Sequence, residues 1–252
     1  MPLLPFVVAC SDTRALSGQV VDIWGKPVPE ATVVVEGVLE RYTADTAGKF
    51  QIETKDPVAR VMAGANGYIK EILPVPTPAE EDDDYDPLTF KLYPEPEQPR
   101  FYAVGRDKYV HLAAKKVQLV GTDLEHWAGI QDIPDEKVPK GKVTFVFSST
   151  LRSSELSQMN LHLSRLDFVD KVPMKSVLGK QPATVQLWVA KEDVPFDLRS
   201  LPSKDDYLVT SRGDMAAGMY AFHAQDILNE LDERVLRDLP RESQVAFPFE
   251  VN

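Results

Sequence analysis

With 252 residues, the chain is long enough for one large domain or two small ones, each with its own core. Its net charge of -11 argues against nucleic acid as a main partner, because phosphate binding needs clustered Lys and Arg. No window carries enough consecutive apolar residues to span a bilayer. Twenty prolines and the frequent alternation of apolar with polar residues favour an all-β protein over a helical one.

Residues Leu3 to Ala9 are almost wholly apolar, and the run ends in Val7-Val8-Ala9-Cys10, around the single cysteine. This segment (residues 1–10) resembles the lipobox of bacterial lipoproteins. The resemblance implies acylation of Cys10, loss of the residues before it and a soluble remainder held at a membrane by acyl chains. The segment before Cys10 carries no Lys or Arg, so it lacks the charged start of a signal sequence. The other reading of Cys10 is an incidental thiol. A lone cysteine permits no intramolecular disulfide, so cysteine pairing does not settle the compartment. Asp12 to Ser17 read as a short tether.

Next comes Ser17-Gly18-Gln19-Val20-Val21-Asp22, then Gly25-Lys26-Pro27-Val28-Pro29-Glu30-Ala31-Thr32-Val33-Val34-Val35. Asp22 can bond nearby backbone N–H groups and Gly25 accepts positive φ, so 22–25 reads as a turn. Pro27 and Pro29 belong at a turn or strand edge. Ala31, Val33 and Val35 share one face of a strand, with Thr32 and Val34 on the other. Asp45 to Gly48 predicts a second turn, after which Phe50 and Ile52 alternate inward. Two such strands cannot stand alone, and Val58, Val61, Ile69, Ile72 and Leu73 are available to cover them.

The ordered motifs from Gly18 to Tyr68 resemble the carboxypeptidase regulatory-like family of transthyretin-type β-sandwiches. The pattern is a Gly and a strand, an Asp-x-x-Gly-x-Pro turn, a β-branched run, Thr43-Ala44-Asp45-Thr46-Ala47-Gly48-Lys49-Phe50, and Gly67-Tyr68. Glu30 departs from it, standing where the family usually has Gly. The resemblance implies a structural sandwich over residues 11–93 with no active site of its own.

After Pro74, the acidic run Glu80-Glu81-Asp82-Asp83-Asp84-Tyr85-Asp86 lacks the ligand spacing of a calcium loop and reads as a solvated loop. Leu88, Phe90 and Leu92 alternate and predict one more strand. The proline-rich segment 94–100 then reads as a stiff hinge and domain boundary.

The second domain, residues 101–252, is a series of short apolar runs divided by Pro and Gly. They lie at Tyr109 to Leu112, Val117 to Val120, Val143 to Phe147, Leu161 to Leu163, Val185 to Val189, Tyr220 to Phe222 and Val245 to Phe249. This spacing predicts a second β-sandwich. One segment differs. From Ala224 to Leu239, the residues Ile227, Leu228, Leu231, Val235, Leu236 and Leu239 recur with helical period, and Pro240 stops them. That pattern predicts one amphipathic helix packed on the sandwich.

Catalytic motifs are missing: there is no Gly-x-Ser-x-Gly elbow, phosphate loop or His-Glu-x-x-His. His111, His126, His162 and His223 are not at metal-ligand spacing, and no cofactor or metal is expected. His162 and His223 fall on the polar face of strands, where surface histidines are ordinary. Asp123, Glu125, His126, Asp132, Asp135 and Glu136 form the densest polar cluster. Such groups can hold a metal or act as acid and base, yet one loop supplies no convergent partners, so an acidic loop is favoured. Trp188 lies opposite the face of Val185, Leu187 and Val189, and with Trp127 could form an aromatic surface for sugar or protein. Coverage of both faces is the favoured alternative. Arg212-Gly213-Asp214 reads as a turn.

The expected molecule is therefore mainly β, with a transthyretin-like or immunoglobulin-like sandwich followed by a second one bearing a helix near the C-terminus. Its expected role is a non-catalytic lipoprotein of the bacterial cell envelope, facing periplasm or exterior. It would bind other envelope proteins and touch the membrane through its lipid anchor at Cys10 alone. A carbohydrate- or peptide-binding module using Trp127, Trp188 and His126 is the alternative, and a hydrolase centred on His126 the third reading.

Overall fold

The computed structural model describes residues 13–78, 84–121, 126–133, 135–151, 154, 160–174, 184–203, 205–224, 227–228 and 244–252. These are mainly β, with twenty-one strands among the described residues. The chain divides into two compact units, Met1–Glu95 with Leu201–Ser203, and Pro96–Ser200 with Lys204–Asn252. Cys10 lies outside the described residues.

The first unit holds β1 (Arg14–Asp22), β2 (Thr32–Val35), β3 (Arg41–Thr43), β4 (Lys49–Thr54), β5 (Arg60–Gly64), β6 (Tyr68–Ile69), β7 (Glu71–Pro74) and β8 (Leu88–Pro94). They form two four-stranded sheets, ordered β4-β1-β8-β6 and β3-β2-β5-β7. Period-two alternation sends Leu16, Val20, Phe50, Ile52, Phe90 and Leu92 from the first sheet, and Val33, Val35, Val61 and Ala63 from the second, into one core. Burial of that shared apolar face is what holds two otherwise marginal sheets together.

Two turns of the same design frame this unit. Asp22 Oδ1 accepts hydrogen bonds from the N–H groups of Trp24 and Lys26, both at 2.9 Å. Asp45 Oδ1 does the same for Ala47 and Lys49, both at 2.8 Å. Each carboxylate thus satisfies donors that the tight turn removes from the ladder. Gly48 closes the second turn at φ 73°, and a Cβ there would stand 2.3 Å from the Val20 carbonyl oxygen. Only glycine fits that position.

Two expectations for this unit need correction. Ile72 does not help to cover the core; it is 43% exposed. The chain changes sheets at Lys70, since β6 pairs with β8 while β7 pairs with β5, and the alternation restarts there. Ile69 and Leu73 then face the core and Ile72 faces out. The acidic run, in turn, is not wholly solvated at its end. Asp84 Oδ1 accepts from the Ala15 N–H at 2.7 Å, and the buried Tyr85 hydroxyl accepts from the Val58 N–H at 3.0 Å. Residues 79–83 lie outside the described residues.

The second unit contains β9 (Arg100–Val104), β10 (Tyr109–His111), β11 (Lys115–Lys116), β12 (Gln118–Gly121), β13 (His126–Gly129), β14 (Lys137–Val138) and β15 (Thr144–Ser148). After them come β16 (Leu161–Pro173), β17 (Thr184–Asp193), β18 (Phe196–Ser200), β19 (Asp206–Ser211), β20 (Gly218–Ala224) and β21 (Val245–Val251). One sheet runs β10-β9-β15-β19-β18; a second runs β11-β21-β20-β16-β17, with β14 beside β21; β12 and β13 form a hairpin. The run expected over Val117 to Val120 is one strand set one residue later, β12 at Gln118–Gly121, while Val117 precedes it and donates its N–H to the Gln244 carbonyl at 3.0 Å.

Aromatic rings from both large sheets fill the space they share. Phe101 stacks on Phe147 at 4.1 Å and on Phe222 at 4.4 Å, while Phe145 meets Phe222 edge-on at 4.9 Å. The other face of the second sheet is covered as well. Ala221, Leu166 and Ala246 pack there with Ala128 and Ile130 from the hairpin side and with Ile227 and Leu228. A strand such as β20, buried on both faces, loses the alternation that a half-exposed strand would keep.

Of the helix expected from Ala224, the first residue instead closes β20, and Ile227 and Leu228 are buried in a turn. Residues 229–243 lie outside the described residues. No helix among the described residues is long and apolar enough to cross a membrane.

Candidate functional site

The residues singled out from the sequence fall on the hairpin and on β17. His126 is exposed at the start of β13, and Trp127 beside it is half-buried. The Trp127 indole N–H is enclosed and has no hydrogen-bond partner among the described residues. Trp188 is half-buried on β17, its ring 5.1 Å from that of Phe168. The fold brings the two tryptophan segments together through paired bonds, Ile130 N–H to the Trp188 carbonyl at 3.0 Å and Trp188 N–H to the Ile130 carbonyl at 2.8 Å. Gly129 permits this approach, because a Cβ there would meet the Trp188 carbonyl oxygen at 2.7 Å. Asp132 and Asp135 are exposed, and Asp123 and Glu125 lie outside the described residues. Among the described residues, no three His, Cys, Asp or Glu side chains are placed to hold a metal ion.

A second polar cluster was not legible in the sequence. His162 and His223 are register partners on β16 and β20, and their rings stack at 5.5 Å. His223 is only 1% exposed, which corrects the expectation of a surface histidine; the covering of the sheet's second face is the cause. The Ser164 hydroxyl donates to Asp193 Oδ1 at 3.1 Å, so its oxygen accepts from His223 Nε2 at 2.9 Å, and that nitrogen carries the proton. Asp193 also approaches His162 Nδ1 at 3.6 Å. In a nucleophilic triad the carboxylate orients the imidazole and the imidazole takes the serine proton. Here the carboxylate holds the serine, whose oxygen is spent on the imidazole, so the arrangement fits a buried structural network.

His111 forms a third. Arg100 Nη1 donates to His111 Nε2 at 2.6 Å. Burial holds the His111 pKa below its ordinary value, the Arg100 charge adds to that, and Glu136 opposes it. A nitrogen that accepts from a guanidinium must be unprotonated, which agrees in direction.

The feature with the chemistry of a binding site lies on the first unit. Arg41, Val34, Met62 and Ile72 are consecutive cross-strand partners over β3, β2, β5 and β7, and so form one row on the face away from the core. Val34 and Met62 are half-buried, and Ile72 is exposed. Two grooves flank the row. One, of about 350 Å³, is lined by Thr32, Val34, Arg41, Met62, Gly64 and Lys70 among others. The other, of about 210 Å³, is lined by Val34, Glu36, Arg60, Val61, Met62 and Ile72. Gly64 makes room for Lys70 beside the first groove: a Cβ there would stand 2.9 Å from Lys70 Cγ, so the Lys70 stem lies across the glycine. Sequence reading placed Val34 on this face but missed the row, since only the register aligns Val34, Met62 and Ile72. Compared with known proteins, the chain matches no family model and no curated protein sequence.

Proposed function

We propose that the protein is a non-catalytic binding or assembly component of the bacterial cell envelope, held at a membrane by acylated Cys10 and facing periplasm or exterior. In this reading the first unit is a carboxypeptidase regulatory-like, transthyretin-type sandwich, and the second unit is a further sandwich. The observation that carries the binding role is the row Val34, Met62 and Ile72 on the outer sheet face. A sheet face turned to water usually carries polar side chains, and a contiguous apolar strip there marks an interaction surface. The lipobox-like Val7-Val8-Ala9-Cys10 supports the location. Mild detergent extraction followed by sizing tests the role: the protein should elute in a complex, and Ile72→Asp should release it as a solitary species. A protein that is solitary and freely soluble from the outset refutes the reading.

Recognition of a sugar or peptide by the second unit is the other reading, and the Phe168–Trp188 pair favours it, because Phe168 is 44% exposed beside the indole. A glycan array on which Trp188→Ala binds as the parent does would dismiss it.

A further inference from the structure

We infer that the groove between Arg41 and Lys70 receives an extended peptide segment of a partner protein in which acidic and apolar residues alternate. This rests on the docking role proposed for the same sheet face and names its ligand class. Three observations carry it. The groove's floor is apolar where Val34 and Met62 lie, and at Gly64 the Lys70 stem takes the space a side chain would fill. Among the described residues, its ionisable lining residues are Arg41 and Lys70, both exposed and both cationic, and no carboxylate lines it. The chain as a whole carries -11, so a local pair of cations over an apolar floor stands out against the surrounding field and selects an acidic partner.

Dimensions agree with a short extended segment. Four adjacent strands set the row Arg41–Val34–Met62–Ile72 across three strand spacings, about 14 Å, the reach of about four extended residues. An extended peptide directs successive side chains to opposite faces, so alternate residues can meet the floor while those between them reach the rims. The second groove continues the strip past Met62 to Ile72, where Arg60 and Glu36 approach each other at 3.9 Å. That neutral end gives no second preference for acid, which places the acidic residues of the ligand toward Arg41 and Lys70.

The test uses the full chain with methyl-labelled methionine and a short fluorescent peptide alternating Glu with Leu and Val. Saturable binding is expected, with a shift of the Met62 methyl signal. Affinity should fall about tenfold or more in Arg41→Glu/Lys70→Glu, and clearly with added salt, as for exposed charge pairs. Both positions are exposed, so the variant should melt as the parent does, and a melting curve checks this. A peptide with Lys in place of Glu should not bind. Equal binding of the Lys peptide, an unmoved Met62 methyl, or an unaffected charge-reversed variant overturns the proposal. A dimer dissolved by Arg41→Glu/Lys70→Glu also overturns it, by naming a second copy as the occupant. If Ile72→Asp releases the envelope complex while the Glu peptide fails to bind, the docking role stands and this ligand class falls. If the peptide binds while Ile72→Asp leaves the complex intact, the docking role falls.

Discussion

Ser164 and His223, 59 residues apart, share a 2.9 Å hydrogen bond on adjacent strands where each is almost wholly buried. The serine hydroxyl relays that bond to Asp193, which reaches the surface. Ser164→Ala would leave the His223 N–H without its acceptor in a dry site. The expected loss is about 1–3 kcal/mol of stability, the usual consequence of stranding a buried donor. Urea unfolding with an unchanged slope is the measurement; a midpoint equal to the parent's would show that the network contributes nothing.

The two Asp turns offer a matched comparison. Asp22 is 5% exposed, whereas Asp45 is exposed, yet each carboxylate takes two backbone donors. Asp22→Ala should cost about 2–3 kcal/mol and Asp45→Ala about 1 kcal/mol, because water replaces the lost acceptor only at the exposed turn. Thermal melts of the two variants side by side decide this, and an equal loss would contradict it.

Glu30 has φ 57°, in the left-handed region that costs a side chain roughly 1–2 kcal/mol. Glu30→Gly should therefore stabilise the first unit, by less than that amount because glycine also loses more freedom on folding, for a net gain of about 0.5–1 kcal/mol. A lower melting temperature in the variant would disprove the strain.

Stability should depend on pH through His111. Its folded pKa is lowered, so the folded state binds fewer protons than the unfolded chain in the window between the two values. The contribution is complete above the unfolded value of about 6.5 and is lost as pH falls through the folded pKa. Melting curves of the parent and His111→Gln, taken from neutral to mildly acidic pH, should converge on acidification. A constant gap between them would exclude the effect.

Much of the first unit could be read locally. Turns of the Asp-x-x-Gly kind and period-two alternation depend on near neighbours, so Asp22, Asp45, Val33, Val35, Phe50 and Ile52 have the roles their spacing predicts. Glu30 drew notice only as a departure from a resembled pattern that has Gly there; its left-handed backbone, at φ 57°, came from the structure. By itself, then, the sequence determined the mainly β character, the two turns and the inward faces of the early strands.

Tertiary structure decided which faces are covered. His223 looked like a surface residue until a second layer of apolar side chains closed over its sheet, and Ile72 looked like core until the chain changed sheets at Lys70. The row on the outer sheet face needed even more. Arg41, Val34, Met62 and Ile72 sit on four strands, and no spacing within one strand places them side by side. Cross-strand register is set by the burial of the opposite face, where Val33, Val61 and Ala63 meet. Local periodicity says which residues share a face of one strand; only the packed core says which strands lie next to one another.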